Sequence, residues 1–447
     1  MKIRIAGLAA ALLLAFATFA TYARTPATAP PNSTPGPATT TTVLKAAHLF
    51  DGRSGTLVSP GLVVVKGERI LAVGPNASIP PGAKVIELGD ATLVPGYIDA
   101  HTHIAYDHDE DWAQGFYDGM LRFPVEQSFH AARNAKATLQ AGVTSVRDVG
   151  ASDFIDVALR NAIDDGLTEG PRMLVAGHAL GSTGGHCDSS PFPPERVPPS
   201  GPLEGVCNGP EECRLATRLQ MKYGADVIKI CASGGVLSES DPVDVPQLTP
   251  AELTAIISEA HAWGRKAAAH SHGDLAARQA IEAGVDSIEH GSFLRPATLQ
   301  LMKQKGVYLV PTRLVAVWGA AHADGYPPKI AAKARAATAA HGQMFKDALR
   351  IGTPIAFGTD SAVSPHGTNA REFGDLVDLG MAPAAALMTS SQGSAKLLGI
   401  DGETGTLEAG KFADIVAVPG DVLRDIRATE RPVLVMKQGV VVKEDRG

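Results

Sequence analysis

Two histidines one residue apart close an apolar run. Leu93-Val94-Pro95-Gly96-Tyr97-Ile98 leads into Asp99-Ala100-His101-Thr102-His103. On an extended chain alternate side chains share a face, so His101 and His103 project together, about 7 Å apart along the strand. Two imidazoles aimed at one point make half of a divalent metal site. Four later segments end short apolar runs in a similar way. They are Val227-Ile228-Lys229-Ile230-Cys231, then Ala267-Ala268-Ala269-His270-Ser271-His272, then Ser287-Ile288-Glu289-His290, then Ile355-Ala356-Phe357-Gly358-Thr359-Asp360. A lone strand-end histidine is most often just a satisfied polar group. Here the pattern repeats in order along the chain: strand, metal-capable residue, then Gly or Ser.

Lys229 stands apart because it lies inside a run that reads as a buried strand. Burying an ammonium is costly without a partner. A cationic lysine cannot ligate a cation. Its carbamate, formed with carbon dioxide, is an anion with two oxygens and can bridge two metals. The alternative is a salt-bridged or snorkelling lysine.

These residues need strands to position them. Candidate strands begin near Leu93, Val143, Arg172, Val227, Ala267, Ser287, Tyr308 and Ile355, with helical patterns between them, for example over residues 250–263, 275–283 and 331–349. Alternating strands and helices predict parallel βα units. Eight such units predict an α/β fold of the (β/α)8 TIM-barrel type, which carries its chemistry at the C-terminal ends of the strands. The candidate ligands all fall there. The barrel is expected over residues 93–402. Residues 43–92 and 403–447 read as short strands, including a hairpin turning at Lys66-Gly67-Glu68, and the two ends are expected to join into one small β-sandwich.

With 447 residues the chain can hold more than one domain, and a net charge of −7 with no basic run argues against nucleic acid as a partner. Residues 1–23 read as a signal peptide: Lys2 and Arg4, an apolar stretch over residues 8–19, and Thr21-Tyr22-Ala23 as a cleavage site. Residues 24–42, rich in Pro, Thr and Ala, read as a disordered linker. Export follows, to a periplasm or beyond, with no stable membrane span after signal removal. Export permits disulfides. Of four cysteines, Cys231 is expected to be buried and free, with one bridge among Cys187, Cys207 and Cys213, Cys187–Cys207 being favoured.

Taken together, Pro95 through His103, Lys229, His270, His290 and Gly358-Thr359-Asp360 resemble the metal-dependent amidohydrolase superfamily. The likeness runs from about residue 43 to the C-terminus. It leans toward the branch of imidazolonepropionase-like proteins, Xaa-Pro and Xaa-Arg dipeptidases and bacterial ochratoxin-type amidohydrolases. The resemblance implies two metals, usually zinc. His101, His103 and Asp360 would hold one, His270 and His290 the other, and a carbamylated Lys229 would bridge them. It also implies a homo-oligomer.

The expected reaction is hydrolysis of an amide next to a free carboxylate, as in dipeptides, N-acyl amino acids or ochratoxin-like acyl-phenylalanines. Metal binding draws the pKa of water toward neutrality and supplies hydroxide. Asp360 is the candidate general base and acid. His178, which ends the third strand, is expected to donate to the substrate carbonyl. Arg313, after the seventh strand, is expected to clasp a carboxylate. His186, His272 and His366 are candidate substrate contacts. His48, His108, His130, His261, His322 and His341 receive no role. The alternatives are a cyclic-amide hydrolase or mononuclear deaminase and, in a different class, an inactive periplasmic binding protein on the same scaffold.

Overall fold

The computed structural model describes residues 41–188, 193–239 and 241–445. The expected signal peptide, and the linker up to residue 40, lie outside the described residues. The linker's last two positions, Thr41 and Thr42, already belong to the strand Thr41–Ala46. Both are β-branched, a side-chain type that suits a strand.

The middle of the chain is α/β, as expected. Tyr97–Thr102, Val143–Asp148 and Arg172–Val175 form one parallel sheet. Val227–Cys231, Lys266–Ser271, Ser287–His290 and Tyr308–Val310 form a second. Parallel single-residue pairings continue these sheets at Leu180↔Ile230, Leu309↔Ile355 and Thr102↔Ser361. The strand expected near Ile355 survives only as these pairings. A Cβ on Gly358 would lie 2.3 Å from Val310 Cγ1 and 2.9 Å from His101 Cβ, so the backbone passes where no side chain fits. Two residues later Asp360 turns to φ +58°, which ends any extended run.

The strand expected to start the barrel at Leu93 is split at Gly96. Ala91–Pro95 pairs antiparallel with Ile415–Pro419, and the parallel strand begins at Tyr97. The hairpin turns as predicted, with Lys66 opposite Arg69. Strands within residues 41–87 make a four-stranded sheet, and strands from both chain ends make a six-stranded one. Leu44, Val63, Val65 and Ile70 of one share a core with Leu93, Ile415, Leu434 and Met436 of the other.

Register sets the two faces of the parallel strands. Ile228, Ile230, Ala267, Ala269 and Ile288 pack outward among Ile256, Ile257 and Leu299 of the covering helices. The alternate residues Lys229, Ala268 and His270 are thereby turned the other way, with Lys229 beside Ala268 and Cys231 beside His270. The helix Pro250–Ala262 starts on a capping box between Thr249 and Glu252, and Asp274–Ala283 stops on left-handed Gly284.

Candidate metal centre

Four strand-end histidines, one aspartate and one lysine meet at the floor of a cavity of about 490 Å³. The Nε2 atoms of His101 and His103 each lie 3.5 Å from Asp360 Oδ1, and Lys229 Nζ lies 3.5 Å from His101 Nε2. The His290 ring centroid is 4.9 Å from that of His101 and 4.7 Å from that of His270. Two groups of ligand atoms fall within 4.8 Å of one another: His101, His290 and Asp360, and His270, His272 and His290. The sequence-predicted ligands therefore come together, and His272, expected as a substrate contact, joins them.

Hydrogen bonds fix which nitrogen each ring presents. His101 Nδ1 donates to Glu289 Oε2 at 2.7 Å, and His103 Nδ1 donates to the Gly150 carbonyl at 2.9 Å. His290 Nδ1 pairs with Thr312 Oγ1 at 2.7 Å. Their Nε2 lone pairs are left to the cavity. His270 is reversed: Nε2 donates to the Gly234 carbonyl at 3.1 Å, which leaves Nδ1. A second hydrogen bond that fixes tautomer and orientation is the usual support for a metal-ligating histidine. Burial, the largest cause, and then neighbouring positive charge keep these rings neutral, the form that binds cations. His103 is pushed down to about 4, and His101, His270 and His290 well below their ordinary value. The donor set thus suits divalent metal in charge and chemistry.

Burial also pushes Lys229 down to about 8, partly offset by Glu289 and Asp360. Among the described residues no carboxylate lies within 4.0 Å of its Nζ, so the lysine is buried without an ion-pair partner. Desolvation raises the Asp360 carboxyl to about 6, against the pull of Lys229. His290, Thr312 and Asp360 all take positive φ, of +68°, +49° and +58°. Such strain in non-glycine residues costs on the order of 1–3 kcal/mol each and clusters at functional sites.

Other expected residues are placed differently. His186 reaches the cavity, its ring 4.4 Å from that of His270. His178 does not. Its Nε2 accepts from the Asp153 backbone at 3.2 Å, and its ring meets Phe154 edge-on. Arg313 is also absent from the lining; its guanidinium donates to the Thr338 carbonyl, and its backbone N–H is held by Glu372. His366 donates to the Tyr106 carbonyl outside the cavity. The disulfide expectation holds in part. One bridge does form among Cys187, Cys207 and Cys213, but it is Cys207–Cys213 and not the favoured Cys187–Cys207 pair, and Cys231 is buried but not free, being bonded to Cys187. Leu180 zips onto the strand carrying Lys229 through bonds to Lys229 O and from Cys231 N, both 2.8 Å. That pairing carries the following loop, and Cys187 with it, to the strand's end.

Sequence reasoning missed the supports. Glu289 and Arg147 form a buried pair at 2.8 Å behind His101. Asp99 takes donors from Thr359, Asn369 and the His101 backbone, tying the first strand to the Asp360 turn. The available signal was a charged residue inside each of three apolar strands. His108 and His341, given no role, also line the cavity. Each donates one ring nitrogen to a backbone carbonyl at 2.8 Å.

Comparison with known proteins agrees with this geometry. The model of the amidohydrolase family matches residues 92–442, and the chain belongs to that family. It is 34% identical to an ochratoxinase of Aspergillus niger over 413 residues, 88% of this chain and 84% of the relative. The crystal structure of A. niger ochratoxinase superposes with a TM-score of 0.80 at 31% identity, covering 91% of this chain and 96% of the other. A Xaa-Pro dipeptidase with bound methionine in its active site superposes with a TM-score of 0.86 at 35% identity, over 90% and 99% of the two chains. A prolidase complexed with N-methylphosphonate-L-proline gives a TM-score of 0.82 at 30% identity, over 91% and 100%. The protein is a hydrolase acting on amide bonds.

Proposed function

We propose that this is an exported, binuclear metal-dependent amidohydrolase. It would be a closed (β/α)8 barrel over residues 93–402 beside a β-sandwich of residues 43–92 and 403–447. Its substrate would be an amide joining a bulky apolar acyl group to an amino acid with a free carboxylate. One observation carries the reading: the histidine, aspartate and lysine cluster forms the floor of a cavity whose outer walls are apolar, with Trp112, Phe116, Leu237, Val315 and Tyr326 among them. A cavity of that size suits a drug-sized ligand more than a minimal dipeptide. The ochratoxinase and the two proline-directed relatives support an amide beside a carboxylate.

His101, His103 and Asp360 would hold one ion, His270 and His290 the other, with Lys229 carbamate between them. When bound, the ions, zinc by the chemistry of the donors, supply Lewis-acid activation of water and of the scissile carbonyl. Lys229 is suited to carbamylation by its burial, its lack of an ion-pair partner and its lowered pKa. The neutral amine's lone pair attacks the carbon of carbon dioxide and the nitrogen loses a proton to solvent. Asp360, held near neutrality, would take the attacking water's proton on its carboxylate and pass it to the leaving nitrogen. With His178 turned away, the hydrogen bond expected from it to the substrate carbonyl drops out of this reading. With Arg313 turned away, His186 is the remaining candidate for the substrate carboxylate.

The test pairs elemental analysis with a panel of N-acyl-phenylalanines, Xaa-Pro and Xaa-Arg dipeptides and cyclic amides, read by release of amine. About two divalent ions per chain and a preference for bulky acyl-phenylalanines are expected. Full activity in a metal-free chain would end the metal reading. Turnover confined to cyclic amides or to deamination would replace the substrate class.

A further inference from the structure

One lysine grips both sides of an apolar corner of the cavity wall. Residues 233–247 leave the end of the strand that carries Lys229 and fold back on it as a strap. The base of the strap is tied by backbone: Gly234 N–H donates to Val245 O at 3.2 Å, and Gln247 N–H to Ala232 O at 2.9 Å. Its tip is not. Among the described residues, no hydrogen bond joins the backbone of 235–242 to other backbone. The tip hangs on side chains instead. Lys333, on the helix Pro328–Ile351, donates to the carbonyls of Gly235 at 3.0 Å, Ser238 at 2.6 Å and Asp241 at 2.5 Å. An ammonium has three N–H donors, and all three are used here. Asp241 Oδ1 stands 3.6 Å from the same nitrogen and accepts from Ser238 Oγ, while its Oδ2 accepts from Gly235 N–H at 3.0 Å. Between Gly235 and Ser238 lie Val236 and Leu237, which line the cavity.

We infer that Lys333 is a positioning residue for substrate specificity: acting through the strap tip, it holds Leu237 in the cavity wall and so decides which acyl groups fit. The helix that carries Lys333 also lines the cavity, through Ala334, Ala337 and Thr338. One rigid element therefore sets both its own wall and the place of Leu237. The tip is fitted to its surroundings on the far side as well. A Cβ on Gly235 would lie 2.1 Å from atoms of the His186 ring, and Ser238 Oγ meets His186 Nδ1 at 3.2 Å. The floor of the site is insulated from the clamp, because the carbonyl that orients His270 belongs to Gly234, at the tied base. A neutral side chain at 333 leaves three carbonyls and the Asp241 carboxylate without their cation. Unpaired polar groups are costly away from water, and opening the tip hydrates them. The kinetic part of the inference rests on the acyl-amino-acid reading above; the structural part does not.

Lys333→Met should raise KM for bulky N-acyl-phenylalanines about fivefold, keep kcat and zinc content, and leave KM for N-acetyl-phenylalanine as it is. Combined with Leu237→Ala it should raise KM no further than Leu237→Ala alone, since each change removes what the other depends on. Lys333→Cys alkylated with 2-bromoethylamine regains an ammonium at nearly the same reach and should return KM to the wild-type value. The described cysteines are all paired, which leaves the new thiol to react. Without substrate, amide hydrogen exchange over residues 235–241 should quicken about tenfold or more in Lys333→Met. Asp241→Asn weakens the tip from the strap's own side and carries the same readings if Lys333→Met does not fold. Equal rises in KM for small and bulky acyl groups, multiplied effects in the double variant, or unchanged exchange over 235–241 would overturn the inference. Quickened exchange in a chain that cleaves no acyl-amino acid would uphold the clamp and end the substrate reading instead.

Discussion

Replacing Glu289 by Gln changes one atom in the deepest layer of the site. Glu289 is fully buried. Its Oε1 accepts from Arg147 at 2.8 Å and from Ser287 Oγ at 2.5 Å, and its Oε2 accepts from His101 Nδ1 at 2.7 Å. The substitution keeps the shape and removes the charge. It leaves the Arg147 guanidinium buried without its counter-ion, a loss worth about 3–5 kcal/mol when one partner of such a pair is removed. Arg147 keeps its bonds to Ala100 O and Ser287 Oγ, and the amide oxygen can still accept, so the low end, about 3 kcal/mol, is expected. The second effect is on the tautomer. The amide NH2 now faces His101 Nδ1 and can only donate to it, so the ring proton moves to Nε2. That nitrogen then has no lone pair for a cation. Loss of such a support costs about 10- to 100-fold in metal affinity. Urea unfolding of the chelated protein measures the first effect, and zinc titration against a chromophoric chelator measures the second. Stability within about 1 kcal/mol of wild type would refute the buried-pair argument. Unchanged zinc affinity would refute the tautomer argument, even if stability fell.

Lys229→Ala should lose most activity and recover part of it with a short-chain carboxylic acid, which replaces the two carbamate oxygens; normal activity and metal content in the variant would remove the bridge. Asp360→Asn should lower turnover by at least about 100-fold with substrate binding largely kept, and a fall under about tenfold would leave Asp360 as a ligand only. Leu237→Ala should raise KM for bulky acyl substrates about fivefold to tenfold at nearly constant kcat, and equal effects on small and bulky substrates would argue against an acyl-binding wall. Burial, with Arg313 nearby, pushes His341 down to about 4. Its imidazole titrates near 6.5 when unfolded, so between those values the unfolded chain binds a proton that the folded chain does not. Stability should therefore fall as pH drops from about 6.5 to about 4, by on the order of 3 kcal/mol from this residue, and level off below. Urea unfolding at several pH values should show His341→Gln flattening that slope; an unchanged slope would assign the loss to other groups.

The residues that cluster on the cavity floor were legible in the sequence because their placement is local. His101 and His103 share a strand face by the two-residue period, and His270, His290 and Asp360 each end an apolar run. The alternation of strands and helices gave the α/β class, and the Lys66-Gly67-Glu68 turn gave its hairpin. What the sequence could not give is long-range. Whether a side chain after a strand faces the cavity depends on backbone turns such as those at Asp153 and Thr312. These left-handed turns lie beside two of the three expected contacts that the fold directs elsewhere, His178 and Arg313, the third being His366. Disulfide partners depend on which loop folds over which strand, so Cys187 met Cys231 through the pairing of Leu180 with Ile230, a contact across fifty residues. The support of His101 by Glu289 and Arg147 joins three strands of two different sheets, side chains that meet only when the sheets face one another. Period and composition act over a few residues; a buried charge finds its partner only when packing removes water from both.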